Sequence, residues 1–253
     1  MHFLKLLKIE RIKCKRSKII PFIFIAPILV VSSGVANLST YFTPEYTQAW
    51  PAMFIQSALL YAYYLLPFSM IVVCVMITGQ ENSHNGLLKM LALPVNRHTL
   101  SLAKFCILVF YLLMEILVFL AVFVIAGYIA VVTSGITETL PLSYLLKWCA
   151  GLFLTMLPSL SVMWMLTVLF EKPLLSVGLN LMLVIPGLLA GATPAWFLYP
   201  YCYSGYLVSR SLQAFTTEVT ADTALQLFPF IPCAVLIFTL ALFISASRFC
   251  KQT

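Results

Sequence analysis

Six long apolar runs, 19–38, 54–78, 105–132, 148–170, 173–192 and 228–246, decide what this chain can fold into. Crossing about 30 Å of hydrocarbon takes roughly 20 predominantly apolar residues in a helix, and each run is close to that length or longer. Strands of a membrane β-barrel alternate apolar and polar residues over about ten positions, whereas these runs are continuous. The expected fold is all-α: a polytopic membrane protein with six transmembrane helices. Only 9% of the 253 residues are charged and 62% are apolar, against about a quarter and about half in soluble domains, so a water-soluble fold is excluded. No connection between runs is long enough for an independent soluble domain. The expected organisation is an amphipathic segment over 1–18, one six-helix membrane domain over 19–248 with connections at 79–104 and 193–227, and a tail at 249–253. Seven Lys and Arg within the first eighteen residues resemble the charged start of a signal peptide. The apolar run behind them is too long and lacks a small-residue cleavage site, so it reads as a retained helix.

Basic residues near the ends of the runs orient the bundle, because Lys- and Arg-rich loops stay on the cytoplasmic side. With the amino terminus inside, thirteen of the fifteen basic residues fall on the inner side, and only Lys147 and Arg210 fall outside. Glu45, Glu138, Glu218 and Asp222 add negative charge to the outer connections. Both termini of a multi-pass cell-membrane protein are therefore expected in the cytoplasm. The net charge of +7 reads as this topology signal, and no nucleic-acid partner is expected.

Most catalytic chemistry is missing from the chain. No G-x-x-x-x-G-K-[ST] phosphate loop occurs, so nucleotide hydrolysis in the Walker manner is excluded. His2, His84 and His98 lack metal-ligand spacing, and neither H-E-x-x-H nor G-x-S-x-G is present. The chain is expected to be no enzyme, with no catalytic residue, metal or cofactor of its own. Seven scattered cysteines without a C-x-x-C pair predict no disulfide framework; only Cys149 and Cys202 fall near the outer face. One ionisable residue lies well inside a run. Glu115 is roughly 15 Å from the inner end of the third run at the helical rise, and an intramembrane carboxylate costs about 3 kcal/mol on insertion scales. It is either a polar group on a substrate path, a proton-sensitive group, or a protonated or hydrogen-bonded residue that fixes packing, against Gln56, Ser57 or Asn180.

Four segments carry further signals. In the inner connection QENSHNGLLKMLALPVNRHTLSLAK, Gln80 to Lys104, Asn82 or Ser83 can cap a short helix with Leu87, Leu88, Leu91 and Ala92 on one face, which Pro94 ends. Such a helix suits docking in a groove on a soluble partner, or serves as a connector. At the amino terminus, Phe3, Leu4, Leu7 and Ile12 suit the headgroup boundary while Lys5, Lys8, Arg11 and Lys15 face anionic lipid and water, so membrane lipid is an expected partner. Gly187 and Gly191 allow close approach of a neighbouring helix, within the bundle or from a second subunit. In the outer connection, Trp196, Phe197, Tyr199, Tyr201, Tyr203 and Tyr206 form either an interfacial belt or, with Glu218 and Asp222, a surface that receives a cationic peptide. Glu115, Trp196, Tyr199, Tyr201 and Tyr203 are the candidates for a substrate path.

The order Glu81, Gly86, Leu87, Leu88, Lys89, Pro94, Arg97 and Lys104 ahead of the third run resembles the coupling-helix region of the type-2 ABC exporter permeases. That family usually has Thr or Ser after the glycine, where this chain has Leu87. The resemblance implies a six-helix permease with both termini inside, paired with a second permease, the same or a paralogous chain. It also implies a dimer of separate ABC ATPase subunits that bind ATP and Mg. Glu81, Gly86, Leu87, Leu88, Lys89, Leu91 and Leu93 are then the ATPase-coupling residues. The first and fifth spans would line the permease interface, with Gly187 and Gly191 at the seam. The short basic amino terminus, the QENSHNGLLKMLALP stretch and the run TPAWFLYPYCYSGYLVSRS are most similar to lantibiotic-immunity, or lantibiotic-protection, permeases of Gram-positive bacteria. The function this implies is ATP-driven expulsion of a lantibiotic or related antimicrobial peptide from the membrane. A type-2 exporter for a drug, lipid or bacteriocin is the alternative, with a polytopic membrane enzyme or a vitamin-binding importer subunit further off.

Overall fold

The computed structural model of the protein describes residues 3–15, 19–36, 49–82, 97–133, 139–170, 172–216 and 227–249. All regular structure among them is helical: α1 (Phe3–Lys15), α2 (Ile19–Ala36), α3 (Ala49–Leu60), α4 (Leu66–Asn82), α5 (Arg97–Thr133), α6 (Leu142–Leu169), α7 (Pro173–Val184), α8 (Gly187–Gly191), α9 (Tyr203–Thr216) and α10 (Leu227–Phe249). A π-helical turn, Tyr61–Leu65, joins α3 to α4. Five stretches are long and apolar enough to cross a membrane: Trp50–Gly79, His98–Thr133, Leu142–Leu169, Pro173–Gly191 and Phe228–Arg248. Taken with α1 as a bent pair, α2 supplies a sixth. The all-α, polytopic architecture expected from the apolar runs is the one observed.

Tertiary contacts move some helix ends away from the limits of hydropathy. α5 starts at Arg97, a full two turns before the apolar run at Phe105, because Leu100 and Ala103 bury themselves against Leu6 of α1. In the fifth span the reverse holds. Pro186 has no N–H to donate, so α7 ends at Val184 and the helix resumes at Gly187, with the Ala190 N–H bonding Pro186 O at 2.9 Å.

Between membrane helices the lipid is as apolar as the side chains, so close packing rather than the hydrophobic effect holds spans together. Aromatic rings supply most of that packing here. Trp50 and Phe54 on α3 meet Phe123 on α5 edge-on at 6.1 and 5.5 Å, and Tyr61 stacks on Phe119 at 4.4 Å. From α6, Tyr144 meets Phe54 at 6.1 Å. Two glycines make room for such rings: a methyl group at Gly127 would come within 2.5 Å of the Trp50 ring, and one at Gly205 within 2.3 Å of Tyr63.

The aromatic connection is not an open loop over its described part. Beyond α8 the chain makes two 3-10 turns, Trp196–Leu198 and Pro200–Cys202, and α9 follows directly. Ser159, in the body of α6, donates to Pro200 O at 2.6 Å, and Ser204 at the start of α9 donates to Ala62 O at 2.8 Å. Both partners sit within spans, so the segment folds back to the depth of the helices. Irregular backbone is tolerated there when protein groups satisfy its polar atoms, as Ser159 does for Pro200 O, while Ser204 ties the start of α9 to the π-helical turn.

Helix α1 also departs from a simple interfacial helix. Phe3 and Ile12 are exposed, as are Lys8 and Arg11, while a stripe of Leu6, Glu10 and Cys14 is buried. Glu10 bonds Lys13 at 2.7 Å and Lys104 of α5 at 3.4 Å. Amphipathic patterning could not reveal this pair, because Glu10 lies on the buried stripe and its partner Lys104 is on another helix.

Candidate functional site

Glu115 lies on the face of α5 turned towards α4 and is fully buried. Its partner is Ser69, and not Gln56, Ser57 or Asn180 as the sequence suggested: Ser69 Oγ donates to Glu115 Oε1 at 2.5 Å. The same hydroxyl also lies 2.9 Å from Leu66 O. A serine has one proton to give, so the two acceptors compete for it unless Glu115 itself carries a proton. Glu115 Oε2 and the Tyr61 hydroxyl are both buried with no hydrogen-bond partner among the described residues. Tyr61 sits in the π-helical turn, stacked on the residue one helical turn beyond Glu115. Single π turns inside α-helices are frequent at functional sites, and the four-residue aromatic-rich run at Tyr61 gave no hint of one in the sequence.

An amide can accept the Ser69 bond without carrying charge. Glu115→Gln is therefore expected to keep both the thermal midpoint and transport, measured on purified protein and in cells. Loss of transport at an unchanged midpoint would instead assign the carboxyl to the substrate path.

A second polar ladder ties α6, α7 and the re-entrant segment together. Thr167 bonds Met163 O at 2.7 Å, Ser176 bonds Thr167 at 3.0 Å, and Asn180 bonds Ser176 O at 2.9 Å. The Tyr201 hydroxyl then donates to Asn180 Oδ1 at 2.8 Å. Thr167 and Ser176 were missed at the sequence level, although a hydroxyl inside an apolar run is the signal that finds them.

The ladder changes the reading of the aromatic candidates. Trp196, Tyr201 and Tyr203 are buried and Tyr199 is half-buried. Tyr199 donates to Leu183 O and Tyr203 to Phe197 O. Trp196 stacks on Tyr206 at 3.9 Å and packs on Phe230 at 5.3 Å. In this chain their faces and hydroxyls are used in a packed plug that holds the segment down.

Gly187 and Gly191 likewise face this chain. A methyl group at Gly187 would lie 3.4 Å from Tyr201 O, and one at Gly191 would lie 3.0 Å from the Tyr63 hydroxyl. Within this chain the close approach that the pair permits is made to Tyr201 and Tyr63. Of the coupling residues, Glu81 falls in the last turn of α4; Gly86, Leu87, Leu88, Lys89, Leu91 and Leu93 lie outside the described residues. Cys149 and Cys202 are free thiols. Among the described residues no cluster of His, Cys, Asp or Glu has the arrangement of a metal site.

A family model described as ABC-2 family transporter protein matches residues 6–187, from α1 to the start of α8. No curated protein matches the chain.

Proposed function

This chain belongs to the ABC-2 family of transporter proteins, and from that premise we propose that it is the permease of an ATP-driven exporter that protects a Gram-positive cell from a lantibiotic or related antimicrobial peptide. The family match carries the transporter part of this reading. The QENSHNGLLKMLALP stretch, the short basic amino terminus and the absence of a large domain between the spans support the peptide-immunity part.

The distribution of basic residues supports a bundle with both termini in the cytoplasm. The inner connection then faces a dimer of ATPase subunits, which hold ATP and Mg, and Glu81, Gly86, Leu87, Leu88, Lys89, Leu91 and Leu93 are the residues that dock on it. A second permease, the same or a paralogous chain, completes the pore. Nucleotide can move this assembly only through a difference in its interaction with two conformations. α4 offers a direct route for such a difference: it runs unbroken from Glu81 to Leu66, past Ser69 and into the π-helical turn. A displacement at the inner connection would thereby reach Ser69, the partner of Glu115, and Tyr61 as a rigid-body shift of one helix. Transport by Glu115→Gln decides between a place for Glu115 on the substrate path and packing against Ser69.

The test is a survival titration with a panel of lantibiotics, comparing cells with and without this gene while the ATPase is present. Sensitivity to one peptide class on deletion, reversed by the wild-type chain, is the expected result. Unchanged survival across the panel with the ATPase still bound would remove the peptide reading and leave a permease for another substrate.

A further inference from the structure

Between α1, α2 and α5 lies a crevice of about 470 Å³. Its walls are apolar: Ile20 and Phe24 come from α2, and Phe110, Met114 and Val118 from α5. The last three recur every four residues, forming one ridge of α5 that runs about 12 Å along the helix axis at the helical rise. Half of a bilayer's hydrocarbon core is about 15 Å deep, so the ridge matches most of one acyl chain in one leaflet. The other end of the crevice differs in chemistry. Lys8 and Arg11 of α1 line it there, both exposed, and the Arg11 guanidinium sits 5.1 Å from the Phe110 ring centre. The one carboxylate of α1, Glu10, points the other way, into its bonds with Lys13 and Lys104. Among the described residues neither Lys8 nor Arg11 forms an ion pair, so the two positive charges stand unneutralised above an apolar slot.

We propose that this crevice is a binding site for one anionic phospholipid from the leaflet that α1 lies against, with its phosphate held by Lys8 and Arg11 and one acyl chain lying between α2 and the Phe110–Val118 ridge. Charge complementarity selects the headgroup, and the continuity of cationic mouth with apolar slot selects a lipid over a free anion. A basic pocket between membrane helices has the chemistry that anionic headgroups prefer. The site depends on the membrane-embedded fold alone and holds for any substrate the transporter carries.

The experiment is native mass spectrometry of the full chain, released from nanodiscs of equal phosphatidylglycerol and phosphatidylcholine. Wild-type protein should retain one phosphatidylglycerol in preference to phosphatidylcholine. Lys8→Gln and Arg11→Gln should each lower that retention about fivefold, the weight of one basic side chain near an anionic surface. Met114→Trp, which fills the slot without touching the charges, should abolish retention of either lipid, whereas Lys147→Gln, remote in sequence and outside the crevice, should leave it unchanged. Equal retention of both lipids by wild type, or none of either, overturns the proposal. So does a Met114→Trp variant that keeps its lipid but loses a dimer, which would make the crevice a seat for a second copy. Inorganic phosphate competing the lipid away would show that the headgroup alone is bound, and would overturn the acyl part.

Discussion

Under the proposed function, cells carrying Leu88→Asp or Leu91→Asp are expected to be as sensitive to the lantibiotic as cells lacking the gene, and the ATPase should no longer copurify with the variant chain. A leucine seated in a partner's groove contributes about 1.5–3 kcal/mol by burial. An aspartate in its place loses that and also has to shed water around a charge. At 1.4 kcal/mol for each factor of ten, a single substitution of this kind weakens docking by about a hundredfold or more. The positions lie in a polar inner connection outside the apolar runs, so the amount of chain inserted in the membrane should not change. Lys89→Gln is the matched comparison, since a rim charge mostly alters encounter rate and salt dependence. Full ATPase retention by both aspartate variants would refute the coupling assignment and leave the family membership standing.

The sequence was most legible where a single physical constraint acts alone. Hydrocarbon thickness sets the length of the runs, and five of six reappear as helices able to span, the sixth in a bent pair with α1. Where two forces meet, the sequence was ambiguous. The start of α5 follows from contacts with Leu6 across the fold, and no local pattern records that contact. Glu115 stood out as a charge inside a run, yet its partner Ser69 is forty-six residues away in the chain and becomes visible only once α4 and α5 are packed. The aromatic connection was ambiguous for a different reason: Trp196, Tyr199, Tyr201 and Tyr203 have the composition of an interfacial belt, a ligand surface and a buried plug alike. Ser159 of α6 and Asn180 of α7, which satisfy a carbonyl and a hydroxyl of the segment, are what hold it packed, and neither is near it in sequence.

The ion pair beneath α1 gives the other large effect. Glu10 and Lys104 have side chains only 3% and 1% exposed, and desolvating two charges repays itself only while both remain paired. Glu10→Leu removes the carboxylate that Lys104 and Lys13 share, and breaking a buried pair in this way costs about 3–5 kcal/mol. The purified variant should therefore unfold at a clearly lower temperature than wild type. Lys104→Met should cost less, because Glu10 keeps Lys13 at 2.7 Å with a side chain that is 37% exposed and still hydrated. The double variant, Glu10→Leu with Lys104→Met, exchanges the pair for two apolar side chains beside Leu100 and Leu6. It should lose clearly less than the sum of the two single losses, with a coupling of about 0.5–3 kcal/mol between the two sites. Strictly additive losses in the double variant would mean that the pair contributes nothing as a pair. Recovery of stability without recovery of transport would show instead that the charges set the register of α1 on α5, since an apolar seam can slide along the helix where an ion pair cannot.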